Sequence, residues 1–303
     1  MQNRTIPLAL LLITFLLAAC QPAAAPAEPT VDQPAAVVSD VVDGQGNSVV
    51  SDIQILIPAN DLAIGTPRIP FIMMSGASQV GDAQAVSLTA FDLSVSPPEA
   101  VWTGAAENYS DYEVPYWVVY PTIEAAGNYG FQADIITADG DQTSANFAVA
   151  FAAESISPGV GEMGLASQNR VLADGFELEA LTSDGVPDPV FYEKKIGDIL
   201  ANGKPSVIAF NTPAFCQTAI CAPVLNAIKG VEADLGDEID FVHVEIYSDF
   251  QELTVDQVIV EWQLQSEPWT YIIDGNGIIQ ERMAGPVSNA ELTGVLTKVM
   301  SSE

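Results

Sequence analysis

Basic side chains, histidine and cysteine are what this 303-residue chain has least of. Nine Lys and Arg stand against forty Asp and Glu, with one His and three Cys, for a formal net charge of -31. Neutralising a phosphate backbone takes a stripe of Lys and Arg, which nine scattered basic residues cannot form, so nucleic acid is excluded as a partner. An anionic membrane surface repels so acidic a body, and attachment to a membrane must therefore come from something other than charge. Between Ser51 and Ala152 there is neither His nor Cys and the carboxylates are scattered, so that stretch offers no metal constellation. No metal and no cofactor are expected.

The chain also lacks an apolar run long enough to span a bilayer. Its one extended apolar segment, Ile6 to Leu17 after Arg4, is shorter than a span and is followed by Pro22, Pro26, Pro29 and Pro34 instead of a stop-transfer pattern. It ends in Leu17-Ala18-Ala19-Cys20, which reads as a bacterial lipobox. Residues 1–19 are then a signal peptide and Cys20 the lipidated first mature residue, placing the protein at the extracytoplasmic face of a cell membrane. Because one acyl chain binds only marginally, the multi-chain modification is what this attachment needs. Residues 20–48, rich in Ala, Pro, Asp and Gly without an apolar period, read as a flexible tether.

About 250 residues remain to fold, enough for two ordinary domains. Residues 49–153 show short β-rich runs between turn residues: Ile53–Ile57, Pro70–Met74, Ala85–Leu93, Val114–Tyr120, Tyr129–Thr137 and Ala145–Phe151. Such spacing predicts a β-sandwich, with Ala138-Asp139-Gly140-Asp141 as a hairpin turn. Gly127-Asn128-Tyr129-Gly130-Phe131 is similar to an immunoglobulin-type corner. The aromatic stretch Trp102, Tyr109, Tyr112, Tyr116, Trp117 and Tyr120 fits core packing better than ligand binding. Residues 154–190 carry little periodicity and read as a connector across the next domain, which occupies 191–303.

That domain reads as an α/β sheet with a terminal hairpin and helix. Val207–Phe210 is a short apolar strand, Cys216–Leu235 has a helical period, and Ile239–Tyr247 is the next strand. Val255–Trp262 is a helix, Trp269–Ile273 and Ile278–Met283 pair across Asp274-Gly275-Asn276-Gly277, and Ser288 with Glu291 forms a capping box for a last helix reaching Met300. Cys216 and Cys221 stand at the expected head of the helix that follows the first strand. Unpaired N–H groups and partial positive charge there favour a thiolate, so Cys216 is the candidate nucleophile and Cys221 its resolving partner.

With strand, cysteine, helix, Pro223 and Glu267-Pro268-Trp269-Thr270 in this order, residues Tyr192 to Met300 resemble a thioredoxin-fold protein. The layout as a whole resembles thioredoxin-domain lipoproteins of bacteria with an N-terminal immunoglobulin-like sandwich. The resemblance implies that Pro268 is cis and faces the cysteines, that Pro268 and Trp269 wall the site, and that Thr212, Pro213 and Phe215 border the substrate. It implies a thiol–disulfide oxidoreductase whose partners are extracytoplasmic protein thiols or disulfides.

The spacing departs from that pattern. Five residues along an ideal helix separate Cα atoms by about 8.6 Å, beyond the roughly 7 Å that a disulfide spans, so a direct bridge requires the first turn to unwind. The five-residue step is similar to the bacterioferritin-comigratory peroxiredoxins, although Pro213 stands where they carry Thr, and Arg282 is this domain's candidate for their peroxide-binding arginine. Thioredoxins' buried acid is replaced by Phe210 and Asn211. His243, mid-strand, reads as a packed residue. With two thiolates it also suits copper, as in the Sco-type chaperones of this fold, which leaves a copper-handling or non-catalytic binding or adaptor module as the alternative and a peroxiredoxin-like peroxidase as a minor one.

Overall fold

The computed structural model describes residues 41–42, 48–49 and 52–301. The expected signal segment, Cys20 and nearly all of the tether lie outside the described residues. From residue 52 onward the chain has two distinct regions, one β-rich and one mixed α/β. Among the described residues no helix is long and apolar enough to cross a membrane.

The β-rich region contains β1 (Ile53–Leu56), β2 (Ile69–Ser75), β3 (Ala85–Asp92), β4 (Glu99–Ala105), β5 (Glu107–Tyr109), β6 (Tyr116–Val119), β7 (Gly127–Ile136) and β8 (Gln142–Phe151). They form two antiparallel sheets in the orders β8-β7-β3-β4 and β1-β2-β6-β5, the second with the short strand Ser78–Gln79 added to β2. Phe71, Trp117 and Val119 of one sheet pack with Leu88, Phe131 and Phe147 of the other in a single apolar cluster. The outer sheet follows the alternation expected of one buried face: along β7, Tyr129, Phe131, Ala133 and Ile135 are buried and their neighbours are not.

The inner sheet is different. All four residues of β6 and the first five of β2 are buried, because this sheet is covered on both faces. Its second face, with Ile72, Val114, Tyr116 and Val118, is closed by Ile220 of the α/β region. Strands β4 and β5 fall outside the six expected runs. Most of β4 is exposed at a sheet edge, and its small and polar residues leave no apolar pattern to read.

In the connector, short 3-10 turns at Leu172–Asp174 and Leu178–Ala180 precede a third, Pro189–Tyr192, capped by the Asp188 carboxylate accepting from the Val190 N–H. There follow α1 (Ile196–Ile199), β9 (Ser206–Asn211), α2 (Cys221–Leu235), β10 (Asp240–Glu245), α3 (Gln257–Glu261), β11 (Trp269–Ile273), β12 (Ile279–Ala284) and α4 (Asn289–Ser301). The sheet order is β10-β9-β11-β12, with β9 and β10 parallel and the other pairs antiparallel. Both parallel strands are buried on both faces. Val207 and Ala209 meet Val224, Ile228, Leu292 and Leu296 of α2 and α4 on one side, while Ile208 and Phe210 meet Val258, Trp262 and Tyr271 on the other.

One buried node joins the regions. Arg68, 5% exposed, donates from Nε and Nη2 to the two oxygens of Glu291 (2.6 and 2.8 Å) and from Nη1 and Nη2 to the carbonyls of Ala284 and Pro286 (2.8 and 2.6 Å). This corrects half of the expected capping box. The Ser288 hydroxyl does accept the Glu291 N–H (3.2 Å), but the Glu291 side chain goes to Arg68, and the Ser288 N–H donates to the Tyr116 hydroxyl instead (2.8 Å). Tyr116 in turn donates to Glu291 (2.5 Å), so a residue of the β-rich region completes the cap of α4.

Candidate functional site

The strand β9 ends at Asn211 and the chain then runs through Thr212-Pro213-Ala214-Phe215-Cys216-Gln217-Thr218-Ala219-Ile220 before α2 begins. The helix starts at Cys221, not at Cys216 as the apolar period suggests. The physical reason is covalent. Cys216 and Cys221 form a disulfide with a Cα separation of 6.0 Å, which five residues of helix cannot reach, and Ala219 takes a left-handed conformation (φ 57°) that ends any helical path. Pro223 lies in the first turn of α2, where its missing N–H costs nothing.

The two sulfurs occupy unlike surroundings. Cys221 is fully buried as the first helical residue, with no acidic side chain in the first turn to oppose the partial positive charge of the helix end. Cys216 is partly exposed in the loop, its Sγ 3.3 Å from the Thr218 hydroxyl, and packs against the cluster of Ile72, Val114, Tyr116, Val118 and Ile220. The disulfide thus runs from a surface loop into a helix N-terminus.

A buried carboxyl that the sequence reading passed over supports the loop. Glu245, 2% exposed, is the register partner of Asn211 across the parallel pair. It accepts from the Ser183 N–H and hydroxyl (both 2.8 Å), and the Ser183 oxygen accepts the N–H of Ala214, two residues before Cys216 (3.1 Å). Burial pushes its pKa up, and hydrogen bonds pull against that shift. A signal existed: Phe241-Val242-His243-Val244-Glu245 alternates, placing Glu245 on the face of His243.

His243 is 2% exposed. Its Nε2 meets the Asn211 carbonyl (3.2 Å), which can only accept, so Nε2 carries the proton and Nδ1 accepts from the Tyr192 hydroxyl (2.7 Å). Both ring nitrogens are committed within the fold, and burial pushes the pKa down to about 4. The imidazole is therefore not available to share a metal with the sulfurs. Among the described residues no group of three or more His, Cys, Asp and Glu side chains is placed to hold a metal ion.

The other expected residues separate into two groups. Thr212, Pro213 and Phe215 lie in the cysteine loop, with Thr212 buried and Phe215 36% exposed against Tyr247 and Phe250. Pro268 is buried, its peptide bond with Glu267 is cis, and it directly precedes Trp269, which pairs with Phe210 at the end of β9. Pro268 thereby sits beside the strand end from which the loop departs. Trp269 points to the other face of the sheet, packing with Phe210, Trp262 and Tyr271 under the Arg282 guanidinium (4.8 Å). Arg282 is held there by Asp61 (2.8 Å) and the Ser157 carbonyl (3.2 Å), and serves the junction of the two regions, not the cysteines.

No family model matches the chain, and no curated protein matches it either. Among solved structures the similarity is distant. StoA from Bacillus subtilis is 16% identical over 31% of this chain and 84% of its own, with a TM-score of 0.26. CopC from Methylosinus trichosporium OB3b is 15% identical over 32% and 93%, TM-score 0.24. The PmoD soluble domain from Methylocystis sp. ATCC 49242 (Rockwell) is 16% identical over 33% and 89%, TM-score 0.23. Similarity at this level assigns no function.

Proposed function

We propose that the protein is a thiol–disulfide oxidoreductase-like protein on a thioredoxin-like fold, acting through Cys216 and Cys221. The observation that carries this reading is the asymmetry of the disulfide, with one sulfur reachable and the other buried at a helix start. A substrate thiolate attacks Cys216 Sγ, the Cys216–Cys221 bond breaks, and Cys221 leaves as a thiolate that the N-terminal end of α2 favours. Attack by a second substrate thiolate on the substrate sulfur then forms the substrate disulfide, releases Cys216, and leaves the pair reduced. The reverse sequence reduces a substrate disulfide. Pro268, beside the loop, presents backbone to an extended substrate, and Pro213 and Phe215 border it, with Thr212 buried beneath them.

In the same reading residues 49–153 are an immunoglobulin-like sandwich, 154–190 a connector and 191–303 the thioredoxin-like domain. A lipid on Cys20 holds the body at the extracytoplasmic face of the membrane, where thiols and disulfides of other proteins are its partners. The lipobox run supports this, and the intact mass of detergent-extracted protein checks it.

Cys221→Ser tests the chemistry. With Cys216 left free, a disulfide-bearing substrate protein should accumulate as a dithiothreitol-sensitive mixed disulfide, absent in Cys216→Ser. Equal capture by the two variants would sink the assignment of Cys216 as the attacking sulfur.

A further inference from the structure

Two aromatic groups from different parts of the fold meet near Cys216, one through Phe215 beside it in sequence and one through the apolar cluster that Cys216 joins. In the first group Phe215 stacks on Phe250 (centroids 5.6 Å) and meets Tyr247 edge-on (6.0 Å), the latter two carried by the hairpin that follows β10. Leu253 and Val255 of the same hairpin are 46% and 45% exposed. In the second group Tyr109 and Tyr112 of the β-rich region pack on Tyr116 (5.1 and 5.8 Å), at the margin of the cluster that Cys216 itself joins. The Tyr112 hydroxyl, itself shielded from solvent, has no hydrogen-bond partner among the described residues.

Charge is arranged consistently on both sides. Asp111 and Glu113 flank Tyr112, Asp249 and Glu252 lie on the hairpin, and all four are exposed. No Lys or Arg occurs between Arg68 and Arg170 or between Lys204 and Lys229. Arg68, Arg170, Lys194, Lys195, Lys229 and Arg282 are already committed to carboxylates. The surroundings of the reachable sulfur are thus apolar at the centre and acidic at the rim.

We propose that the redox partner is a polypeptide segment whose cysteine is flanked by an aromatic or large aliphatic side chain and by Lys or Arg. It lies over Cys216 between the Phe215–Phe250 pair and a tyrosine wall that the β-rich region supplies. This rests on the oxidoreductase reading above and adds the substrate class. In the forward step the segment's thiolate attacks Cys216 Sγ, the bond to Cys221 breaks, and Cys221 takes up a proton from water once released. Complementary charge raises the encounter rate and makes it fall with salt.

The test measures the rate at which thiols open the disulfide of the oxidised protein. The probes are dithiothreitol and three synthetic peptides with Cys flanked by Phe and Lys, by Gly alone, or by Phe and Asp. The Phe/Lys peptide should react about tenfold faster than either other peptide at low salt, an advantage that shrinks in high salt. Tyr112→Ser and Phe250→Ser, one on each side, should each cut that advantage about fivefold and leave the dithiothreitol rate unchanged, which also shows that the loop is still folded. If dithiothreitol opens the bond while the wild-type protein treats all three peptides alike, the docking surface is refuted and the redox reading stands. If dithiothreitol does not open it in the folded protein, both fall.

Discussion

The β-rich region carries no cysteine and no histidine, whereas the α/β region carries the disulfide, the only histidine and the buried Glu245. Yet the first region reaches into the second at two points. Arg68 and Tyr116 complete the cap of α4, and the second face of the inner sheet receives Ile220 from within the disulfide loop. An arginine 5% exposed and paired with a residue 223 positions away has no reason to exist in a free-standing sandwich. The region without cysteine therefore braces the region that carries the disulfide.

Breaking the brace should have the largest effect. Arg68→Ala leaves Glu291 buried without its cation and should cost about 3–5 kcal/mol in urea unfolding, with both regions losing structure together. A change under about 1 kcal/mol would mean the two regions do not depend on each other.

The next effect belongs to the α/β region alone. His243 is folded with a pKa near 4 against an ordinary 6.5. Between those values the unfolded chain binds a proton that the folded chain refuses. Stability should therefore fall as pH drops from about 6.5 toward 4, by up to about 3 kcal/mol. Asp184 and Lys229 act on the imidazole with opposite signs, while Tyr192 and the Asn211 carbonyl bond it. Glu245, with its pKa raised, works the other way, contributing stability at low pH that is lost as pH rises through its folded pKa. The comparison to make is thus between wild type and His243→Asn, whose pH slope should be flatter.

Ile220→Ala removes the residue that the cysteine loop buries against the inner sheet. About 2–3 kcal/mol should be lost, with faster amide exchange in β2 and β6. Smallest is Ser183→Ala, which deletes the link from Glu245 to the loop: about 1 kcal/mol, seen as roughly tenfold faster exchange at the Ala214 amide.

Much of this arrangement was readable in advance where a period survives. The alternation along β7, the unbroken apolar runs of β2 and β6 and the order of elements from β9 to α4 follow from burial on one face or two. The start of α2 was not readable, because the helical period continues through Cys216–Ile220 and a covalent bond overrides it. Ser183 stands in a connector without pattern. Arg68 and Glu291 are far apart in sequence, and Glu291 already had a local role in the expected capping box, so nothing local announced their pairing. The cysteine pair itself was legible, but the helix N-terminus expected at Cys216 belongs to Cys221.

That asymmetry is most directly tested by timing the alkylation of each cysteine, by mass spectrometry of peptides, in untreated and dithiothreitol-reduced folded protein. No free thiol is expected at either position before reduction, and afterwards Cys216 should be modified at least tenfold faster than the buried Cys221. Free thiols at both positions in the untreated protein, or equal rates after reduction, would contradict it.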